Sequence, residues 1–299
     1  MKKNLVKKAV LPVFVALLCS VIALTSVSYA WFTMGNTASV GEMELEITSS
    51  TGLQVSASGS AGTYKSIITL DDLKYDGNTN VFPEKASPIS SVGTVKAGKQ
   101  EMFLGTIDDN GALKSEVTEN NYICFDLYIQ TSNDYTLLLD IGSYVISTNE
   151  AKKAARVSFV NLGNGPTAAA AKVLTGGDGT AVIWEPNFKE RTQHVLDNEV
   201  AANTDSALPY YGLKAAFEAT ALTEINKAQS TVSSKPTVIT PAYGQDGKTT
   251  ATAELLSLKA GYNKIRVYVW LEGQDVDCVD AIAAGVLKVQ LNFALPTQQ

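Results

Sequence analysis

Four stretches of the chain alternate apolar and polar residues with a period of two. Glu42–Thr48 sets Met43, Leu45 and Ile47 against Glu42, Glu44 and Glu46. Tyr122–Gln130 sets Ile123, Phe125, Leu127 and Ile129 against Cys124, Asp126 and Tyr128. Tyr262–Leu271 sets Ile265, Val267, Val269 and Leu271 against Lys264, Arg266, Tyr268 and Trp270, and Val286–Leu295 sets Leu287, Val289, Leu291 and Phe293 against Lys288, Gln290 and Asn292. This pattern predicts strands of antiparallel sheets with one packed and one polar face. Shorter candidates are Leu53–Ser58, Tyr64–Leu70, Gln100–Ile107, Tyr135–Ile141, Arg156–Asn161 and Ala181–Trp184.

Turn sequences separate these runs: Asp76-Gly77-Asn78, Asp108-Asp109-Asn110-Gly111, Gly176-Gly177-Asp178-Gly179 and Gln245-Asp246-Gly247. About ten short strands so punctuated predict a β-sandwich. One helix is expected at Leu213–Gln229, where Leu213, Phe217, Ala221 and Ile225 recur every fourth residue. Ser230–Thr252 is rich in Ser, Thr and Pro and reads as a loop. Residues 163–252 therefore read as an insertion, carrying one helix, between the halves of the sheet framework.

The N-terminus has a different pattern. Met1–Lys8 is basic, Ala9–Leu24 is continuously apolar, and Ser28-Tyr29-Ala30 places small residues at the −3 and −1 positions of a cleavage site. This is the layout of a secretory signal, residues 1–30, cut between Ala30 and Trp31. The alternative is an uncleaved anchor, in which Ala9–Phe32 spans a bilayer; the signal is then the only membrane contact. A type IV pilin fits poorly, because its apolar stretch follows the cut. Export makes the 299 residues two objects. The signal holds four lysines and no acid, and its removal leaves 20 basic against 30 acidic side chains, a balance of −10. An acidic product without a basic patch argues against nucleic acid as a partner. Cys124 and Cys278 remain in the mature chain, an even count that permits one disulfide in an exported protein, with two thiols as the alternative.

The junction Ser28-Tyr29-Ala30-Trp31-Phe32-Thr33, followed by the Gly41-led strand Glu42–Ile47, resembles the TasA/camelysin group. These are secreted proteins of Gram-positive bacteria cut by a dedicated SipW-type signal peptidase. The C-terminal run Val269–Cys278, followed by Ala284-Gly285 and a last strand, resembles the ending of large clostridial-type members; Tyr122–Tyr128 and Ile183–Asn187 fit the same group. The resemblance implies an antiparallel jelly-roll β-sandwich over residues 31–299 and assembly into matrix fibres. It also implies a donor segment, residues 31–40 (Trp31, Phe32, Thr33 and Met34 through Val40), that completes the sheet of the next subunit. A free apolar N-terminal segment added to a sheet edge satisfies both its side chains and its backbone, and such a head-to-tail contact propagates without closing. The alternative is that Trp31–Val40 folds back as the first strand of its own domain.

The expected function is a secreted, non-catalytic structural protein of the cell surface or biofilm matrix. Its partners would be copies of itself and other matrix proteins, with the signal peptidase acting during export; no cofactor is expected. The alternative is a monomeric surface-binding module, for glycan or host protein, on the same sandwich. Some camelysin-type relatives are classed as metallopeptidases, but His194 is the only histidine and no HExxH occurs, so a protease role finds no support. No GxSxG, P-loop or dinucleotide fingerprint is present. Glu272, Asp275, Asp277 and Asp280 form an acidic cluster whose alternating oxygens suit Ca²⁺, although the spacing is not that of an EF-hand; the alternative is a solvated loop capping the short helical stretch Val279–Ala284. Asp71-Asp72 reads as a turn, and Tyr268 and Trp270 on the polar face read as a glycan platform or as aromatics packed under the insertion.

Overall fold

The computed structural model describes residues 43–50, 53–75, 79–84, 86–91, 93–102, 121–186, 237–244, 246–273, 278 and 286–296. The expected signal and its cleavage point, the expected donor segment, the helix expected at Leu213–Gln229, His194 and Asp275, Asp277 and Asp280 lie outside the described residues. In chain order the strands are β1 (Met43–Ser49), β2 (Gln54–Ser56), β3 (Ile67–Thr69), β4 (Thr94–Lys96), β5 (Lys99–Gln100), β6 (Ile123–Thr131), β7 (Tyr135–Leu139) and β8 (Tyr144–Ser147). There follow β9 (Ala155–Gly165), β10 (Gly179–Thr180), β11 (Val182–Trp184), β12 (Thr237–Ile239), β13 (Ala253–Leu258), β14 (Gly261–Leu271) and β15 (Leu287–Ala294). Three short helices join them: α1 (Leu70–Leu73), α2 (Ala151–Ala154) and α3 (Ala168–Lys172).

The alternating runs become the long strands. In β1, Leu45 and Ile47 are buried while Glu44 and Glu46 face solvent, and Glu44 pairs with Lys288 directly opposite on β15 at 2.7 Å. The strands build two six-stranded sheets. The first runs β13-β7-β15-β1-β3, with β8 also on β15; the second runs β12-β11-β9-β14-β6-β2. One core lies between them. Leu45, Ile47, Leu137, Val289 and Phe293 from the first sheet meet Phe125, Leu127, Phe159, Val267 and Val269 from the second.

Both six-stranded sheets are mixed, where pattern alone predicts antiparallel pairing. β1 and β15 lie parallel, with Met43 opposite Leu287 and Ser49 opposite Phe293; β11 and β12 are parallel as well. Alternation fixes which face a residue occupies and carries no information on strand direction, so this departure has a simple cause. The region 163–252 also contributes to the framework: β11 and β12 belong to the second sheet, and β12 falls within Ser230–Thr252, which sequence reads as loop.

β7 and β8 are one line of pairing along β15, interrupted at Asp140–Ser143. Thr249 fills the interruption. Its carbonyl accepts from Gly142 N and its Oγ1 accepts from Ser143 N, while its own N–H donates to Ser143 O. The backbone groups freed by the break are thereby satisfied.

A third, three-stranded sheet, β10-β4-β5, lies over the outer face of the second. It forms a second core in which Ile89, Val95, Met102 and Ala181 cover Cys124, Val160, Tyr268 and Trp270. The outer face of β14 and β6 is therefore buried, against the expectation that their polar residues face solvent.

Candidate functional site

Three polar arrangements stand out. In the first, Asp126 on β6 faces Lys264 and Arg266 on β14. Arg266 grips both carboxylate oxygens, at 2.6 and 3.0 Å, and Lys264 Nζ lies 3.1 Å away. One carboxylate against two cations leaves a surplus of positive charge. Lys264 Nζ also donates to the carbonyls of Lys172 and Leu174, which close the end of α3 and offer negative dipole ends to it. Burial alone would lower the Arg266 guanidinium, but the hydrogen bond and charge of Asp126 outweigh it and hold it above its ordinary value. Burial, aided by the Asp126 charge, pushes the Tyr128 phenol up.

In the second arrangement, Glu272 is fully enclosed at the end of β14. Ser90 Oγ donates to its Oε1 at 2.5 Å and Trp270 Nε1 to its Oε2 at 3.2 Å. Glu272 thus faces the interior, away from any solvated loop ligand. Among the described residues no three His, Cys, Asp or Glu side chains are grouped to hold a metal. Tyr268 and Trp270 are only 2% and 1% exposed, so they form no surface platform. Tyr268 accepts from Gln100 N through its hydroxyl at 3.1 Å, beneath β5. Burial raises the Tyr268 phenol. Their cover comes chiefly from Ile89, Val95 and Met102, not from the region after residue 163 alone.

Of the two readings of the cysteines, the structure has the two thiols and not the disulfide. Cys124 and Cys278 are both buried and remain thiols. Cys124 packs with Tyr268 and Trp270 on the outer face of the second sheet, whereas Cys278 packs in the core between the sheets. Successive faces of a sheet point apart, and this separation accounts for the absent bond.

The third arrangement is a cavity of about 560 Å³ beside β3 and α1. Tyr64 and Tyr75 supply aromatic walls, Ala57 and Ile68 apolar ones, and Thr63, Lys65, Asp71 and Asp72 polar groups. The turn Thr69-Leu70-Asp71-Asp72 shapes it. Asp72 Oδ2 accepts from the N–H and hydroxyl of Thr69 at 2.8 and 3.0 Å, while its Oδ1 accepts from Lys65 Nζ at 2.6 Å. Burial opposes ionisation of Asp72, but these bonds prevail and hold it below the usual carboxylate value. Tyr64 stands edge-on to Tyr262, ring centres 5.7 Å apart, and burial pushes its phenol up to about 12. In sequence Asp71-Asp72 reads as a turn alone. The signal for more was present in Thr69 three residues before Asp72, a helix-start spacing.

The strand edges complete the inventory. β3 is an outer strand of the first sheet and covers only Glu46–Thr48 of β1. Among the described residues, Met43, Glu44 and Leu45 have a strand neighbour on one side alone, β15. Ile67 on β3 is 51% exposed. No described helix is long and apolar enough to cross a membrane. Comparison with protein-family models, curated proteins and solved structures finds no match.

Proposed function

We propose that the chain is a secreted, non-catalytic structural protein of the cell surface or biofilm matrix, a TasA/camelysin-like jelly-roll sandwich that assembles into fibres by N-terminal strand exchange. The observation that carries this reading is the half-covered β1. Among the described residues its first three residues have one strand neighbour, and the segment Trp31–Val40, which carries Trp31, Phe32 and Met34, precedes them in sequence across Gly41-Glu42. An open edge beside an apolar segment of the same chain is the combination that strand addition requires. The segment of one copy completes the β1–β3 edge of the next, and the contact repeats head to tail. A single histidine and the lack of an HExxH motif favour a role without catalysis.

The test is removal of Trp31–Thr37 from the mature protein, followed by negative-stain microscopy. The expected result is loss of filaments with an unchanged β-type circular dichroism spectrum. Filaments that persist after the deletion, or an intact mature protein that stays monodisperse, would sink the proposal.

A further inference from the structure

We infer that the cavity beside β3 and α1 is a binding site for a neutral hexopyranose unit of a glycan. The inference does not depend on fibre formation. The cavity's volume, about 560 Å³, lies within the range of small-ligand sites. Its lining matches the two surfaces of a sugar ring. Pyranoses present an apolar C–H face, which suits the rings of Tyr64 and Tyr75, and an edge of hydroxyls, which suits carboxylates and small hydroxyl side chains.

One group there is left without a partner and within reach of a bound sugar; the Tyr64 hydroxyl is sealed off from the cavity, so Tyr64 offers only its ring. Asp71 is exposed on the cavity wall and makes no hydrogen bond or ion pair among the described residues. Asp72, by contrast, is fully engaged by Lys65 and Thr69. Asp71 is thus the acceptor left for adjacent ligand hydroxyls.

The charges set the class of sugar. Two carboxylates and one lysine, itself bound to Asp72, leave the cavity net negative. Uronates and phosphorylated sugars are repelled. The walls are also held in place before any ligand arrives. Lys65 and Val55 exchange backbone hydrogen bonds at 2.9 and 3.0 Å, and Thr63 Oγ1 is fixed by Ser56 Oγ at 2.6 Å and Ser60 O at 2.7 Å. Preorganisation of this kind lowers the cost of ordering on binding.

The experiment is an NMR titration of the mature protein with chitotriose, cellotriose and maltotriose, with trigalacturonate as the charged control. The expected result is saturable shifts confined to residues 57–75 and Tyr262 for at least one neutral trisaccharide, and none for the uronate. Asp71→Asn, at an exposed position, should weaken binding about fivefold and keep the wild-type thermal transition. The inference is overturned if no neutral trisaccharide shifts these residues at about 10 mM. Binding unchanged in the Asp71→Asn variant, or equal binding of the uronate, would overturn it too.

Discussion

Arg156 and Glu185 show most clearly how this chain manages buried charge. Their side chains are 0% and 2% exposed and meet at 3.0 Å, joining β9 to the end of β11. Around them, Tyr243 donates to the Glu185 carbonyl at 3.0 Å and accepts from Trp184 Nε1 at 2.7 Å. A pair so enclosed is costly to break from one side, because the survivor is left charged in a poor solvent. Glu185→Ala should therefore lose about 3–5 kcal/mol in urea unfolding. Arg156→Met combined with Glu185→Leu should recover most of that loss, since two apolar groups leave no stranded charge. A double variant as weak as the single one would show that the polar network, not the stranded charge, sets the cost. Nothing in the sequence marks this pair: Arg156 opens a strand and Glu185 follows Trp184 in a short apolar run.

Among elements, the β4–β5 hairpin carries the covering layer and depends on its turn. Ala97 and Gly98 both have positive φ, 47° and 71°, the backbone of a two-residue turn that favours Asn-Gly. A Cβ on Gly98 would stand 1.7 Å from the Thr175 carbonyl oxygen. Gly98→Ala should thus detach the hairpin from its support and weaken the near-ultraviolet circular dichroism of Trp270 and Tyr268. Ala97→Asn relieves the left-handed strain of alanine and should stabilise by about 0.5–1 kcal/mol, read as a higher urea midpoint. The same element explains what the sequence could and could not disclose. Alternation in Tyr262–Leu271 correctly separates Ile265, Val267, Val269 and Leu271 from Lys264, Arg266, Tyr268 and Trp270. It cannot disclose that the second set is covered, because the cover consists of strands two or three residues long and of residues outside any strand, such as Ile89 and Met102. Such strands show no period. Nor does any pattern report that Asp126 lies opposite Arg266, since partners across a sheet are set by register.

Over the whole molecule, burying tyrosines has a cost at high pH. Tyr64, Tyr75, Tyr128, Tyr243 and Tyr268 all have raised phenols, in each case chiefly through burial. In the unfolded chain tyrosine ionises near pH 10. The folded protein therefore holds protons that the unfolded chain releases, so this contribution to stability is complete below pH 10. It is lost as pH rises from about 10 through the folded values, about 12 for Tyr64 and higher for the most enclosed. The urea midpoint should fall steadily above about pH 10, with tyrosinate absorbance appearing late and together with unfolding. Tyrosinate absorbance that rises fully while the fold persists would contradict the burial of these rings. The two-layer plan itself is legible in the four alternating runs. The placement of the cavity is not, because Tyr64, Asp71 and Tyr75 meet only once β3 and α1 fold against β2.

The parallel seam of β1 and β15 has a mechanical consequence. Because the two strands run the same way, the chain enters the seam at Met43 and leaves at Ala294, at opposite ends of the sheet. Tension applied between these points runs along both strands, so the seven residue pairs from Met43–Leu287 to Ser49–Phe293 resist together in shear. An antiparallel seam pulled from one end would instead open one pair at a time, like a zip.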